Sequence, residues 1–232
     1  MSNRWIDRDF RSKVRDILLS SDEYHDAYYS SGIFGGPSLH FHRRALGLAG
    51  AVTEPSQIEL TYAALTSWGM HRMGASGSKM QSFGAFEQSI ASVRDDIQSL
   101  RGLLPEELSP SSWLALERVF KGIKVMSSGT TIVGNSKVMA HLLPALVAPL
   151  DRQYTMNYLF GNTMFQNGLD REWCLIRKIH AEFYYHIAND EGIQRKAQIW
   201  MAQPDRFPWD TSILKIIDNL VIGAMKMRKQ SE

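Results

Sequence analysis

The chain has 232 residues, of which 44% are hydrophobic and 22% charged, so it is apolar enough to bury a core. Its 26 Lys and Arg residues nearly balance its 24 Asp and Glu residues, and a net charge of +2 excludes recognition of nucleic acid by overall charge alone. The single cysteine, Cys174, excludes an internal disulfide and favours a reducing compartment. Cys174 follows Trp173 in an apolar stretch, which predicts packing in a core instead of a catalytic thiol.

Nothing in the sequence indicates a membrane protein. Residues 1–9 lack the apolar run of a signal peptide. No segment approaches the length of apolar residues that a bilayer span requires. The sequence therefore predicts a cytoplasmic protein with no membrane partner.

Apolar residues recur with helical spacing along the whole chain, beginning with a stripe that starts at Phe10. In the first third of the chain this spacing predicts helices from Phe10 toward Tyr28, from Ser38 onward, and from Pro55 to Trp68. Between the first two helices lies a stretch rich in glycine and proline, which ends the first helix.

Short polar residues before apolar stripes mark the later helix starts. Ser82 is predicted to cap a long helix whose stripe extends to Leu100, and Ser111 or Ser112 to cap the next helix. Further helices are predicted over residues 136–146, 169–188 and 210–228, and there is almost no strand signal. The sequence therefore predicts an all-α fold: one compact domain over residues 1–232, or two lobes that meet near residues 120–135.

Residues 129–155 form the segment that most strongly indicates a functional site. A turn is predicted to lead into a helix whose first residues include Lys137. Free amides at a helix start, together with a lysine, are suited to bind phosphate. Asp151 is predicted to cap the following helix, which begins at Arg152, and a carboxylate there could also hold a ligand or act as a base. The residues predicted to contact the phosphate are Gly134, Asn135 and Ser136.

This segment resembles the helix-hairpin-helix DNA glycosylase superfamily, through its glycine-containing turn before Lys137 and its Pro-apolar-Asp stretch, Pro149 to Asp151. The resemblance implies a helix-hairpin-helix element that grips the DNA backbone. It also implies that Lys137 is a nucleophile toward the sugar, with Asp151 as the assisting carboxylate. The implied partner is DNA and the implied reaction is base excision of the glycosylase or lyase type. Because the turn has one of the family's two glycines, a relative that kept the fold and lost the chemistry is an alternative.

A second candidate binding segment follows the helix that ends at Trp68. Residues 68–74 are predicted to form a loop that contains Trp68, His71 and Arg72. Aromatic and guanidinium groups stack on flat rings, so these residues are suited to contact a nucleic-acid base. The two methionines of the same loop fit an equally weighted alternative, in which the loop fills an irregular gap in the core.

Other motifs indicate no metal and no cofactor. His40 and His42 point to different faces of a helix, and neither they nor His71 has a carboxylate or cysteine at ligand spacing. The segment from His40 to Arg44 is better explained as a basic surface or as polar residues around a packed Phe41. No phosphate loop and no nucleophile elbow is present.

Three functions are consistent with these residues. The first is nucleic-acid binding through a helix-hairpin-helix-like element, with base-excision chemistry at Lys137. The second is a non-enzymatic helical module that acts through protein contacts. The third is a small-molecule enzyme that uses the loop containing His71 and Arg72.

Overall fold

The computed structural model describes residues 9–30, 35–48, 55–74, 77–127, 131–164 and 168–231. Of the described residues, 71% are helical and almost none lie in strands, which confirms the all-α prediction. Of the predicted site segments, Gly129 and Thr130, at the start of residues 129–155, lie outside the described residues.

Twelve helices are found among the described residues, and two of them contain a π-helical stretch. The helices are α1 (Arg11–Leu19), α2 (Ser21–Ser30), α3 (Pro37–Gly47), α4 (Pro55–Ser67), α5 (Phe83–Ala91), α6 (Arg94–Leu100), α7 (Pro110–Gly122), α8 (Ile132–Leu142), α9 (Arg152–Met156 as a π-helix, then Asn157–Phe160), α10 (Leu169–Ile179, then His180–Tyr184 as a π-helix, then Tyr185–Ala188), α11 (Glu191–Met201) and α12 (Ile213–Ser231). A two-stranded antiparallel hairpin pairs β1 (Met73–Gly74) with β2 (Gly77–Ser78).

The chain forms two compact units. Unit 1 comprises residues 1–33, 150–166 and 174–232, and unit 2 comprises residues 34–149 and 167–173. Residues 120–135, where a lobe boundary was predicted as an alternative to one domain, therefore lie within unit 2.

Unit 2 contains α3 to α8, and its helices pack mainly against their neighbours in sequence. Helix α3 packs against α4, and α6 packs against α7. The apolar stripes predicted from the sequence face inward: Leu65, Phe86, Ile97 and Val119 are completely buried. Helix α8 also contacts α3 and α4, which are far from it in sequence.

Unit 1 is held together by contacts between distant parts of the chain. Its main helix pair is α2 with α12, close to the two ends of the chain. Gly223 of α12 lies so close to the backbone of Tyr24 that a Cβ atom at this position would overlap its carbonyl group. The two helices can therefore approach this closely only because residue 223 has no side chain.

Two helices, those predicted to begin near Ser82 and Ser111, differ from the predictions in their bounds. The predicted long helix from Ser82 has its cap, since the Ser82 hydroxyl accepts a hydrogen bond from the Ala85 amide, but it is interrupted between α5 and α6. Helix α7 begins with Pro110 and is capped by Ser109, so the prediction of Ser111 or Ser112 was wrong. Proline is favoured in the first turn of a helix because an N–H group there has no partner within the helix. Pro110 therefore places the start of α7 earlier in the chain than predicted.

The prediction that Cys174 packs in the core was also wrong, because this side chain is exposed. On α10 the buried positions include Trp173, Ile176 and Ile179, with helical spacing. Cys174 lies on the same side as Arg171 and Arg177, which are exposed. The angular position on the helix, and not the apolar character of the neighbouring residues, decides which side chains are buried.

Candidate functional site

The segment that follows α4 is fixed by a regular helix cap. Gly69 has a positive φ of 74°, its amide donates to the Thr66 carbonyl at 2.9 Å, and the Met70 amide donates to the Leu65 carbonyl at 3.2 Å. This pair of bonds is a Schellman motif, which requires a left-handed residue at the position that Gly69 occupies. Trp68, the residue before Gly69, is therefore held in a fixed place at the helix end.

The next two candidate residues are ordered by the same cap. His71 Nδ1 lies 2.8 Å from the Thr66 carbonyl oxygen, and Arg72 Nε donates to the Gly69 carbonyl oxygen at 3.0 Å. Because a carbonyl oxygen only accepts, the Nδ1 atom of His71 must bear the proton. Both side chains are exposed. The structure thus presents a basic guanidinium and an imidazole next to Trp68.

Helix α8 brings Lys137 to the same place. The Lys137 ammonium lies 5.4 Å from the centre of the Trp68 ring, over its face. An ammonium at this distance is attracted by the negative face of the indole. Both side chains are half-buried. Two residues that were predicted in separate candidate segments therefore form one contact, and no local pattern in the chain indicates this contact.

Behind Trp68 lies a buried pair of histidines. His42 Nδ1 is 3.0 Å from His141 Nε2, and His141 Nδ1 is 2.8 Å from the carbonyl oxygen of Lys137. Since the carbonyl accepts from His141 Nδ1, the Nε2 atom of neutral His141 is the acceptor and His42 Nδ1 is the donor. The rings of His42 and His141 lie 5.8 and 5.3 Å from the Trp68 ring. Trp68 is thus in contact with Lys137 and with two histidines.

Gln57 on α4 connects this cluster to the backbone of two other helices. Its side-chain amide donates to the carbonyl oxygens of Ala45 on α3 and His141 on α8, each at 3.4 Å. Gln57 is completely buried. Three helices of unit 2 therefore determine where the histidine pair and Trp68 lie, which favours a rigid arrangement.

The predicted turn at Gly134 is wrong, because α8 already begins at Ile132 and Gly134 is its third residue. A Cβ atom on Gly134 would clash with the side chains of Val125 and Met126. Glycine is therefore needed here so that the helix can pack against the preceding segment, and not so that the backbone can turn.

Asn135 and Ser136 are buried, so their predicted exposure in a phosphate-gripping turn is also wrong. The Asn135 side-chain amide donates to the carbonyl oxygens of Phe120 and Ile123 at 2.8 and 3.1 Å, at the end of α7. Ser136 donates to the carbonyl oxygen of Val133 within its own helix. Both side chains satisfy backbone groups inside unit 2, which is an ordinary role for buried polar residues.

A carboxylate of the chain itself occupies the start of α8, where a phosphate was expected. Glu172 Oε2 accepts hydrogen bonds from the Thr131 amide at 2.9 Å, the Thr131 hydroxyl at 2.5 Å and the Ile132 amide at 2.6 Å. The other oxygen accepts from the Gly168 amide at 3.3 Å. An anion at a helix N-terminus is stabilised by the free amides and the helix dipole. The chain supplies this anion from Glu172, which sequence reasoning did not identify.

Asp151 caps α9, as predicted. Its Oδ1 atom accepts hydrogen bonds from the amides of Gln153 at 2.7 Å and Tyr154 at 3.3 Å. Its own amide donates to the Thr155 hydroxyl at 3.2 Å. This reciprocal arrangement is typical of an N-terminal cap. Asp151 belongs to unit 1, whereas Lys137 belongs to unit 2.

Unit 1 contains a buried polar cluster that the sequence analysis missed. Asp210 accepts hydrogen bonds from His25 Nε2 at 2.7 Å, from the Tyr29 hydroxyl at 3.0 Å and from the Asn219 side-chain amide at 2.8 Å. His25 is stacked on Trp200 at 3.9 Å. Burial, together with the neighbouring Asp210 carboxylate, raises the pKa of Tyr29 far above its ordinary value. Tyr29 is therefore a neutral hydrogen-bond donor at any physiological pH.

Asn219 joins this group to a buried ion pair. The Lys215 ammonium donates to Asp218 at 2.7 Å and to the Asn219 side-chain oxygen at 2.5 Å. Lys215 and Asp218 are only 7% and 4% exposed, so no substrate could reach them while the unit is folded. The cluster is therefore a structural element of the unit 1 core. Its sequence signal is a set of polar residues within the apolar stripe of α12.

Among the described residues, no three His, Cys, Asp or Glu side chains come together in the way that a metal site requires. Within the same ranges, no helix has both the length and the apolar character needed to cross a membrane. No family model, curated protein or solved structure matches the chain. The function is therefore to be inferred from the chemistry of the side chains.

Proposed function

We propose that the protein binds nucleic acid through a surface of unit 2 formed by Trp68, His71, Arg72 and Lys137, called the Trp68 face below. The observation that carries this proposal is the position of the Lys137 ammonium over the half-buried Trp68 ring. This contact holds a positive charge beside Trp68 at the end of α4, and the exposed His71 and Arg72 follow Trp68 closely in the chain. Lysine and arginine side chains that share one surface are suited to neutralise phosphates of a nucleic-acid backbone.

Trp68 acts in this proposal as a positioning residue. One face of its ring is covered by Lys137, and the ring also lies against His42 and His141. A base would therefore have to displace Lys137 in order to stack on the indole. Phosphate contacts from Lys137, Arg72 and His71 require no such change, so we propose backbone binding with little sequence preference.

The proposed enzymatic extension is lyase chemistry at an abasic site. The unprotonated Lys137 amine would add to the C1′ aldehyde of the ring-opened sugar, and loss of one water molecule would leave an imine. Asp151, the carboxylate that the resemblance pairs with Lys137, belongs to unit 1 and caps α9, so we assign it this structural role alone.

Binding is tested by fluorescence anisotropy with duplex and single-stranded oligonucleotides over a range of salt concentrations. We expect the affinity to fall as salt rises, and each of Lys137→Gln and Arg72→Gln to reduce the slope of log K against log salt by about 0.9 on duplex DNA. Arg94→Gln is the matched control, because Arg94 is an exposed arginine of α6 outside the Trp68 face. Absence of binding at low salt and micromolar protein would refute the proposal and favour a protein-interaction module.

The chemistry is tested with duplexes that contain an abasic site, in the presence of borohydride. Reduction of the imine would give a covalent adduct that Lys137→Gln abolishes and Arg94→Gln retains. Salt-dependent binding without an adduct would restrict the function to binding.

A further inference from the structure

The short hairpin of unit 2 places two basic residues opposite each other, one of which belongs to the Trp68 face. Arg72 precedes β1 and Lys79 follows β2, and the Lys79 amide donates to the Arg72 carbonyl oxygen at 3.2 Å. This bond continues the register in which Met73 pairs with Ser78. Residues that lie opposite each other in an antiparallel pair project to the same side, with Cβ atoms about 5 Å apart. Both Arg72 and Lys79 are exposed.

The backbone of Lys79 is held from both sides. Its amide is bound by Arg72, and its carbonyl oxygen accepts a hydrogen bond from the Ser127 amide at 2.8 Å. The next residue, Met80, is buried and forms a bridge with Met126. The Lys79 side chain therefore leaves the surface from a fixed backbone position, and not from a free loop.

This pair of charges has no carboxylate partner within the described ranges. The printed bond of the Arg72 side chain goes to the Gly69 carbonyl oxygen, and neither Arg72 nor Lys79 forms an ion pair there. Like charges directly opposite each other in a sheet are destabilising. An anion that lies across both side chains would offset this repulsion.

The surface next to the pair is open. Gly77, two residues before Lys79 and therefore on the same side of the hairpin, pairs with Gly74. No atom of the described residues lies within 4 Å of the position that a Cβ atom would occupy on Gly77. Glycine inside a strand is typical of places where another backbone approaches closely. A sugar-phosphate backbone can therefore come close to the hairpin beside Lys79.

The aromatic residues of unit 2 distinguish duplex from single-stranded nucleic acid. Proteins that bind single strands stack the bases on aromatic side chains. Among the described residues of unit 2, no phenylalanine, tyrosine or tryptophan is exposed, and the Trp68 ring is covered by Lys137. A duplex keeps its bases stacked on one another, so contacts to its phosphates require no aromatic surface.

We propose that the Trp68 face binds a nucleic-acid duplex and that Lys79 is a further phosphate-contacting residue beside Arg72 and Lys137. This inference rests on the proposed function and adds to it the class of nucleic acid. A duplex has about one charge per 1.7 Å of its axis, against about one per 3.4 Å for each strand. It therefore offers more phosphates to a fixed set of cations.

Fluorescence anisotropy with a DNA duplex and with one of its strands, over a range of salt concentrations, tests the inference. Lys79→Gln should reduce the slope of log K against log salt by about 0.9 on the duplex, which is about eightfold weaker binding at 0.1 M salt. Three phosphate contacts should favour the duplex over the single strand roughly fourfold at that salt, because the slope per contact is about 0.9 against about 0.7.

Two control variants isolate the role of the charge at residue 79. Lys79→Arg keeps the charge and should retain the slope, and Arg94→Gln removes an exposed charge of α6 and should also retain it. Tighter binding of the single strand, or an unchanged slope in Lys79→Gln, would overturn this inference. If Lys137→Gln still lowered the slope in that case, the proposed function would stand without it. Absence of binding to both oligonucleotides would refute the proposed function itself.

Discussion

Substitution of Glu172 is expected to destabilise the protein more than any other single carboxylate-to-amide change in unit 2. The side chain is 1% exposed, and one of its oxygens accepts three hydrogen bonds at the start of α8. Glu172→Gln keeps one acceptor oxygen and the size of the side chain. It removes the negative charge and turns an NH₂ group toward backbone donors.

The expected loss follows from these contacts. Hydrogen bonds to a charged group contribute about 1.5–3 kcal/mol each, and the interaction of an anion with a helix N-terminus about 0.3–1 kcal/mol. Because Glu172→Gln retains part of the hydrogen bonding, we expect the free energy of unfolding to fall by about 2–3 kcal/mol. Glu172→Ala leaves the buried donors without an acceptor, and we expect a loss of about 3–5 kcal/mol.

Urea unfolding followed by circular dichroism and by tryptophan fluorescence measures this loss. Trp173 is the neighbour of Glu172 and is buried against Phe120, with ring centres 5.9 Å apart, so its emission reports on this region. Asp170→Asn is the matched control, because Asp170 lies on the same helix, is 87% exposed and pairs with Lys121 at the surface. That change should cost less than about 1 kcal/mol. The reasoning is refuted if Glu172→Gln costs no more than Asp170→Asn.

Three further substitutions test other parts of the structure, each by thermal or urea unfolding. Asp151→Ala should cost about 0.5–2 kcal/mol through the lost cap of α9, and an unchanged stability would contradict the capping role. Gly223→Ala should cost about 1–3 kcal/mol, since its Cβ meets the backbone of Tyr24; a neutral result would mean that α2 and α12 separate easily. Asp210→Asn should cost about 1.5–3 kcal/mol because it replaces the charged acceptor of the His25 hydrogen bond by a neutral amide, and a loss below about 0.5 kcal/mol would contradict that pairing.

Local patterns were sufficient to predict most helices and some of their caps. Ser82 and Asp151 were predicted correctly as cap residues. A short polar side chain followed by an apolar stripe can be recognised from residues that are close in sequence. Residues 169–188 were also predicted correctly as helix. The cap of α7 was missed because serines at 109, 111 and 112 compete, and Pro110 decides among them.

The candidate site was less predictable, because its contacts join segments that are far apart in sequence. Gly134 was interpreted as a turn residue, and nothing near it in sequence shows that Met126 and Val125 require a small residue at this place. The contact between Lys137 and Trp68, and the bond between His42 and His141, each depend on how α8 packs in unit 2. The spacing of apolar residues shows which face of a helix is buried, but not which other segment packs against that face.

The way in which the chain assembles unit 1 has a consequence for its biosynthesis. The hydrogen bond between His25 and Asp210 joins residues 185 positions apart, so α2 leaves the ribosome long before the helix that covers it. At about 5–20 residues per second, this interval lasts roughly 10–40 s. Residues 34–149, by contrast, are synthesised as one continuous stretch of unit 2. The apolar side chains of α1 and α2 are therefore available to chaperones throughout the synthesis of unit 2, and slower translation would prolong that exposure.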